Sequence, residues 1–293
     1  MKKASLLFTV ILMYSGLVAQ PQGGRLLEDQ SLNSKILGYG VEYAVYLPPD
    51  YDYSSRSYPI VYLLHGYTDD ETGWVQFGEV KRIVDQHIAS GEIPPMVIVM
   101  PNGGVTWYMN DHAGKERWED MFIREFLPHV EGKYRVRSKK EYRAISGLSM
   151  GGFGSLRISL NNPDLFVACA AYSSALWTVE DFRTMPQENY NRMFGKLYGE
   201  GLESESRITE HFKAHSVIEM VKSKPVEELK KVRIYFDCGD DDFLAIGNAT
   251  LHIELKKRQI PHEYRVRDGI HSWPFWRASL PIGLGFIGES FHR

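Results

Sequence analysis

From Gly40 onward, short apolar runs alternate with longer stretches whose apolar residues recur every three or four positions. Val41–Leu47 alternates as a half-buried strand does. Ile60–Leu64 and Met96–Met100 are continuous apolar runs, the pattern of strands covered on both faces. Tyr142–Gly147, Leu165–Tyr172, Val232–Asp237 and His262–Val266 complete the predicted strands. Helical spacing falls at about Phe77–Ser90, Met121–Tyr134, Gly151–Leu160, Ala245–Lys257 and Pro274–Phe291. Strand and helix alternating in this order predict an α/β fold, with a mostly parallel central sheet and helices on both faces. Gln20–Ser34 is polar and irregular and reads as a lead-in without regular structure. Residues 174–231 break the rhythm, mixing aromatic and charged residues with no clear strand. They are expected to form a cap-like insertion over the carboxyl ends of the strands, the edge at which such sheets bind substrates.

The first residues change the picture of where the protein acts. Lys2 and Lys3 precede the apolar run Ala4–Tyr14, and small residues follow up to Ala19. This is the layout of an export signal at residues 1–19, leaving 20–293 as a single catalytic domain in the periplasm or outside the cell. No later apolar run approaches the roughly 18 residues of a membrane span, so no stable membrane association is expected. A net charge of −3, with both signs interspersed, offers no basic footprint for nucleic acid. Cys169 and Cys238 are the two cysteines of 293 residues. Each lies in an apolar stretch and is read as a packed thiol, with a single disulfide as the alternative.

The chemistry is concentrated in Gly147-Leu148-Ser149-Met150-Gly151, set between a predicted strand and a glycine-opened helix. A serine on such a turn is exposed above the sheet, and the two glycines remove side chains that would clash there. The helix N-terminus behind it favours developing negative charge. Ser149 is therefore the candidate nucleophile. A serine hydroxyl needs a base, and the base an orienting acid, in the chain order Ser, Asp or Glu, His. His271 lies between the last predicted strand and the last helix, in a loop at the active edge. His252 falls in a helical pattern and His262 opens a strand. His211 and His215 would share a helix face, but no third ligand accompanies them and no metal site is assigned. The acid is to be sought in the loop Asp237-Cys238-Gly239-Asp240-Asp241-Asp242, and spacing does not choose among its aspartates. For the oxyanion, the Met150 amide follows the nucleophile. The second donor is expected after Leu63-Leu64-His65-Gly66, at the Tyr67 amide, with Gly66 as its neighbour. His65 is read as structural.

Taken together, several segments resemble the esterase D-like branch of the α/β-hydrolases, which includes the feruloyl and acetylxylan esterases of carbohydrate esterase family one. They are Tyr62-Leu63-Leu64-His65-Gly66 with Gly73-Trp74, Met100-Pro101-Asn102-Gly103, Glu125-Phe126-Leu127-Pro128 with Lys133-Tyr134-Arg135, the Ser149 elbow, Asp242-Phe243-Leu244, and Gly269-Ile270-His271-Ser272-Trp273. The resemblance spans roughly Glu42 to Phe286. It implies an α/β-hydrolase fold and a catalytic aspartate immediately before Phe-Leu, which is Asp242. It also implies Ser149 and His271 as its partners, Tyr67 and Met150 as oxyanion donors, and no metal or organic cofactor.

The substrate expected from export and this resemblance is an ester-bearing small molecule or oligosaccharide. A hydroxycinnamoyl ester of plant cell-wall xylan comes first and an acetyl ester second. S-formylglutathione hydrolysis is disfavoured by the export signal. Trp74, Trp107, Tyr108 and Trp177 fall in predicted loops, where aromatics stack on a phenolic acyl group or a sugar ring, and they are the candidate substrate-binding residues. Trp273 and Trp276 are read as packing residues.

Overall fold

The computed structural model describes residues 23–291, so the expected export signal lies outside the described residues. One eight-stranded sheet organises them: β1 (Arg25–Asn33), β2 (Gly40–Leu47), β3 (Ile60–Leu64), β4 (Val97–Pro101), β5 (Arg143–Leu148), β6 (Ala168–Tyr172), β7 (Arg233–Gly239) and β8 (Glu263–Arg267). The strand order is β1-β2-β4-β3-β5-β6-β7-β8. β2 pairs antiparallel with β1 and with β4, and the strands from β4 to β8 are parallel. Every residue of β3, β4, β5 and β6 is buried, which is why these strands read as unbroken apolar runs.

β1 corrects the expectation of an irregular lead-in. It is the outer strand, with none of its residues fully buried, and its register slips between Leu27 and Gln30. An irregularity of that kind moves successive side chains to the opposite face, so no alternation survives in the sequence.

Four helices frame the sheet: α1 (Val80–Ala89), α2 (Met150–Asn161), α3 (Ala245–Lys257) and α4 (Trp273–Ser290). α1 and α4 cover one face, where Ile83, Val84, Leu280 and Leu284 join a core with Val61, Ile98 and Ala170. α2, α3 and the helical path Trp118–Lys133 cover the other, where Phe122, Leu156 and Leu251 join Tyr62, Val99 and Ile145. α1 begins later than expected because Glu79 takes a left-handed conformation, φ 51°. The Trp118–Lys133 path starts earlier than expected and widens to a π-turn over Phe122–Phe126. Among the described residues no helix is long and apolar enough to cross a membrane.

Between β6 and β7 the chain runs through short helices from Val179 to Leu229. Phe182, Tyr190, Phe194 and Phe212 pack together beneath them. Both cysteines are free and buried. Cys169 sits opposite Ile234, and Cys238 lies four residues farther along β7. At the rise of a strand that is about 13 Å, beyond the reach of a disulfide.

Candidate active site

The turn from β5 into α2 holds Ser149 at φ 51° and ψ −114°, a conformation that side chains ordinarily avoid. Three backbone hydrogen bonds maintain it. The Ser149 amide donates to the Tyr172 carbonyl at 2.9 Å, and the Ser149 carbonyl accepts from Ala175 at 2.9 Å and Phe153 at 3.0 Å. Gly147 and Gly151 make the turn sterically feasible. A Cβ on Gly147 would meet the Gly151 backbone at 2.6 Å, and one on Gly151 would overlap the Leu64 carbonyl oxygen.

His271 occupies the loop between β8 and α4. Its Nε2 lies 3.0 Å from Ser149 Oγ and its Nδ1 lies 2.9 Å from Asp242 Oδ2. Asp242 follows β7, and its other oxygen accepts the Leu244 amide at 2.9 Å. Burial raises the pKa of the Asp242 carboxyl, but hydrogen bonds from His271 and Leu244 outweigh that effect and hold it below its ordinary value.

The neighbouring aspartates are committed elsewhere. Asp237 is buried and meets Arg267 at 2.7 Å and the Tyr235 hydroxyl at 3.0 Å. Asp240 Oδ1 accepts the Gly269 amide at 3.0 Å, tying the β7 loop to the loop that carries His271. Asp241 is exposed. Only Asp242 of the four brings its carboxylate to His271.

The loop after β3 passes close to Ser149, where a Cβ on Gly66 would lie 3.8 Å from Ser149 Cβ. The Tyr67 and Met150 amides have no protein acceptor among the described residues. His65 pins this loop from below. Its Nδ1 donates to the Gly66 carbonyl at 2.8 Å, and its Nε2 accepts the Gly103 amide at 2.8 Å.

A cleft of about 410 Å³ opens over Ser149. Trp107 and Trp177 line it, with ring centroids 5.3 Å apart. Trp107 and Tyr108 both take φ 56°, a strained pair that turns the first ring toward the cleft wall and the second into the core.

Trp74 and Tyr108 do not reach the cleft. Trp74 is fully buried and donates its indole N–H to the Leu64 carbonyl at 3.0 Å, while Tyr108 is buried and donates to the His65 carbonyl at 2.8 Å. Their polar tips find backbone partners inside the protein, so both rings serve packing. Conversely, Trp273 and Trp276, read as packing residues, line the cleft beside His271. Phe243 and Met193 line it as well. The signal for Phe243, Trp273 and Trp276 was present in their adjacency to Asp242 and His271. Met193 carried none, since the 174–231 segment brings it there by tertiary packing. His211 and His215, the histidine pair considered for metal, are engaged with the Leu197 and His211 carbonyls.

The family model described as "Putative esterase" matches residues 34–287. The chain is 28% identical over 247 residues to an acetyl esterase of Caldicellulosiruptor saccharolyticus, covering 81% of this chain and 86% of that one. It is 32% identical over 146 residues to an endo-1,4-beta-xylanase/feruloyl esterase of Xylanibacter ruminicola, covering 47% of this chain and 20% of the relative. Among solved structures, a ferulic acid esterase superposes with a TM-score of 0.78 at 32% identity, covering 92% of this chain and 99% of that one. The chain spans 53% of the length of the Mycobacterium tuberculosis esterase Rv1288, which it matches at 27% identity over 80% of its own residues. With the sheet, the strained serine turn and these matches in agreement, the chain belongs to the Esterase family, on an α/β-hydrolase fold.

Proposed function

We propose that this protein is an exported serine esterase that releases hydroxycinnamoyl groups from plant cell-wall polysaccharide. The observation that carries the proposal is the Ser149–His271–Asp242 relay, at 3.0 Å and 2.9 Å, opening into a cleft walled by aromatic rings.

In this reading Ser149 Oγ attacks the ester carbonyl while its proton passes to His271 Nε2. The Asp242 carboxylate accepts the Nδ1–H of His271, fixing the tautomer and stabilising the imidazolium that forms. The Tyr67 and Met150 amides receive the tetrahedral oxyanion. As the intermediate collapses, His271 gives its proton to the departing alkoxide and the acyl group remains on Ser149. Water, deprotonated by His271, then repeats the sequence and frees the acid. These steps draw on no metal or organic cofactor. Trp107 and Trp177 offer planar apolar faces to a phenolic acyl group. Residues 174–231 act as a cap, contributing Trp177 and Met193 to the wall.

Support for the phenolic acid comes from these rings and from the similarity to proteins named ferulic acid esterase and xylanase/feruloyl esterase. The similarity to an acetyl esterase favours a second reading, removal of acetyl groups from the same kind of polymer. Hydrolysis of methyl ferulate beside a small aryl acetate, with Ser149→Ala as blank, separates the two. Rapid Ser149-dependent release of ferulate is the expected result. Release of acetate alone would leave the acetyl reading.

A further inference from the structure

Trp107 is the ring on which the cleft wall turns. Its centroid lies 4.9 Å from that of Phe194, 5.3 Å from that of Trp177, and 5.7 Å from those of Phe153 and Tyr67. It nevertheless belongs to a strained pair, since Trp107 and Tyr108 both stand at φ 56°. Side chains in that region cost on the order of 1–3 kcal/mol each and persist only where the surroundings over-determine them. The Trp107 indole makes no hydrogen bond that would fix it: among the described residues its N–H has no partner.

Tyr108 supplies what Trp107 lacks. Its hydroxyl donates to the His65 carbonyl at 2.8 Å, and its ring lies against Gly103 and Gly154, where a Cβ on either glycine would overlap it. Its carbonyl accepts from Arg157 Nη2 at 3.2 Å. Arg157 stands on α2, about two turns beyond Ser149, and is wholly buried. The same nitrogen pairs with Glu119 at 2.6 Å, while Nε and Nη1 have no partner among the described residues. A buried guanidinium so incompletely matched is costly, and an apolar side chain of similar length would fill the space without that cost. The proposed mechanism makes no other use of this charge, and its bond to Tyr108 links it to the cleft wall.

We propose that Tyr108, clamped by Arg157, Gly154 and the His65 carbonyl, is a positioning residue that holds Trp107 at the face of the cleft and thereby sets the preference for a planar acyl group. Neither Tyr108 nor Arg157 touches the reacting atoms, and both act through Trp107. Released from the clamp, the pair relaxes toward ordinary φ and the Trp107 ring leaves its place beside Trp177. A phenolic acyl group then loses one of its two aromatic walls, whereas an acetyl group has no plane to stack and is indifferent. The inference rests on the esterase reading above and adds to it residues, remote from Ser149, that decide which acyl group is favoured.

The test compares methyl ferulate with a small aryl acetate on the wild-type protein, on Arg157→Met combined with Glu119→Gln, on Gly154→Ala and on Arg157→Lys. The charge-free pair keeps the volume and leaves no unpaired buried ion, and Gly154→Ala displaces the Tyr108 ring independently, so either one decides if the other does not fold. Each of these two should raise KM for methyl ferulate about five- to tenfold with kcat within about twofold, and leave both constants for the acetate within about twofold. Arg157→Lys keeps a cationic donor for Glu119 and the Tyr108 carbonyl, and should stay within about threefold of the wild-type KM. A folded charge-free pair or Gly154→Ala with wild-type KM on methyl ferulate, or equal losses on both substrates, would overturn the clamp. A wild type inert toward methyl ferulate yet active on the acetate would overturn the feruloyl reading and this role with it.

Discussion

His65 accepts the Gly103 amide at 2.8 Å through Nε2, which obliges the ring to carry its proton on Nδ1, 2.8 Å from the Gly66 carbonyl. One neutral tautomer thus joins the loop after β3 to the loop after β4. Protonation would turn Nε2 into a donor facing a donor, and burial pushes the ring's pKa down to about 4.

A pH dependence of stability follows from that shift. The unfolded chain takes up a proton near the ordinary histidine value of about 6.5, whereas the folded ring takes one up only near 4. Between these values the unfolded state holds the extra proton, so stability falls as pH drops through the window and is constant in this respect above it. Denaturation curves from pH 4 to 7 should show His65→Gln less stable at neutral pH but with a shallower decline. The difference should approach 1.4 kcal/mol per pH unit, on the order of one proton. Equal slopes for the two proteins would remove His65 as the source.

In the proposed mechanism Ser149 combines the attacking hydroxyl with a strained backbone, and two substitutions separate the roles. Ser149→Ala should lower turnover on the order of 10⁴-fold or more. Ser149→Gly should be as inactive but more stable than Ser149→Ala by about 1 kcal/mol, because glycine adopts the positive φ without a clash. Thermal melts of the two inactive variants provide the comparison, and Ser149→Ala with near-normal rates would refute the nucleophile.

Asp242 and Asp241 are adjacent, yet one carboxylate is buried against His271 and the other faces water. Asp242→Asn should lower kcat about 10³- to 10⁴-fold by presenting an amide where an acceptor is needed. Asp241→Asn should stay within about twofold. The reverse ranking in steady-state kinetics would move the acid by one residue.

Trp177 and Trp74 should respond differently to truncation. Trp177→Ala opens the cleft wall and should raise KM for methyl ferulate about tenfold while sparing a small aryl acetate. Trp74→Ala leaves a cavity and an unpaired Leu64 carbonyl, and should cost about 3–5 kcal/mol of stability in urea denaturation. A Trp74 variant of wild-type stability would contradict its assignment to the core.

Much of the fold was legible because the signals are local. Ile60–Leu64 reads as a buried strand from five residues, and Gly147 to Gly151 reads as a strained turn because the clash its glycines avoid lies within that turn and the adjoining strand. His271 was legible from its place between a strand and a helix. β1 was not, since an edge strand with a register slip buries too little to impose a period on its residues.

The sequence by itself determined the parallel sheet and singled out the candidate nucleophile and base, each by spacing along a few neighbouring residues. Tertiary structure decided which aspartate meets His271 and which tryptophans face the cleft. Asp240 is drawn off by Gly269, Asp237 by Arg267, and Trp74 by the Leu64 carbonyl. Those partners, apart from Leu64, come from segments about 30 residues away, and composition or periodicity carries no record of them. A side chain's partner is chosen by competition among all groups that folding brings within hydrogen-bond distance, and that set exists only once the sheet has assembled.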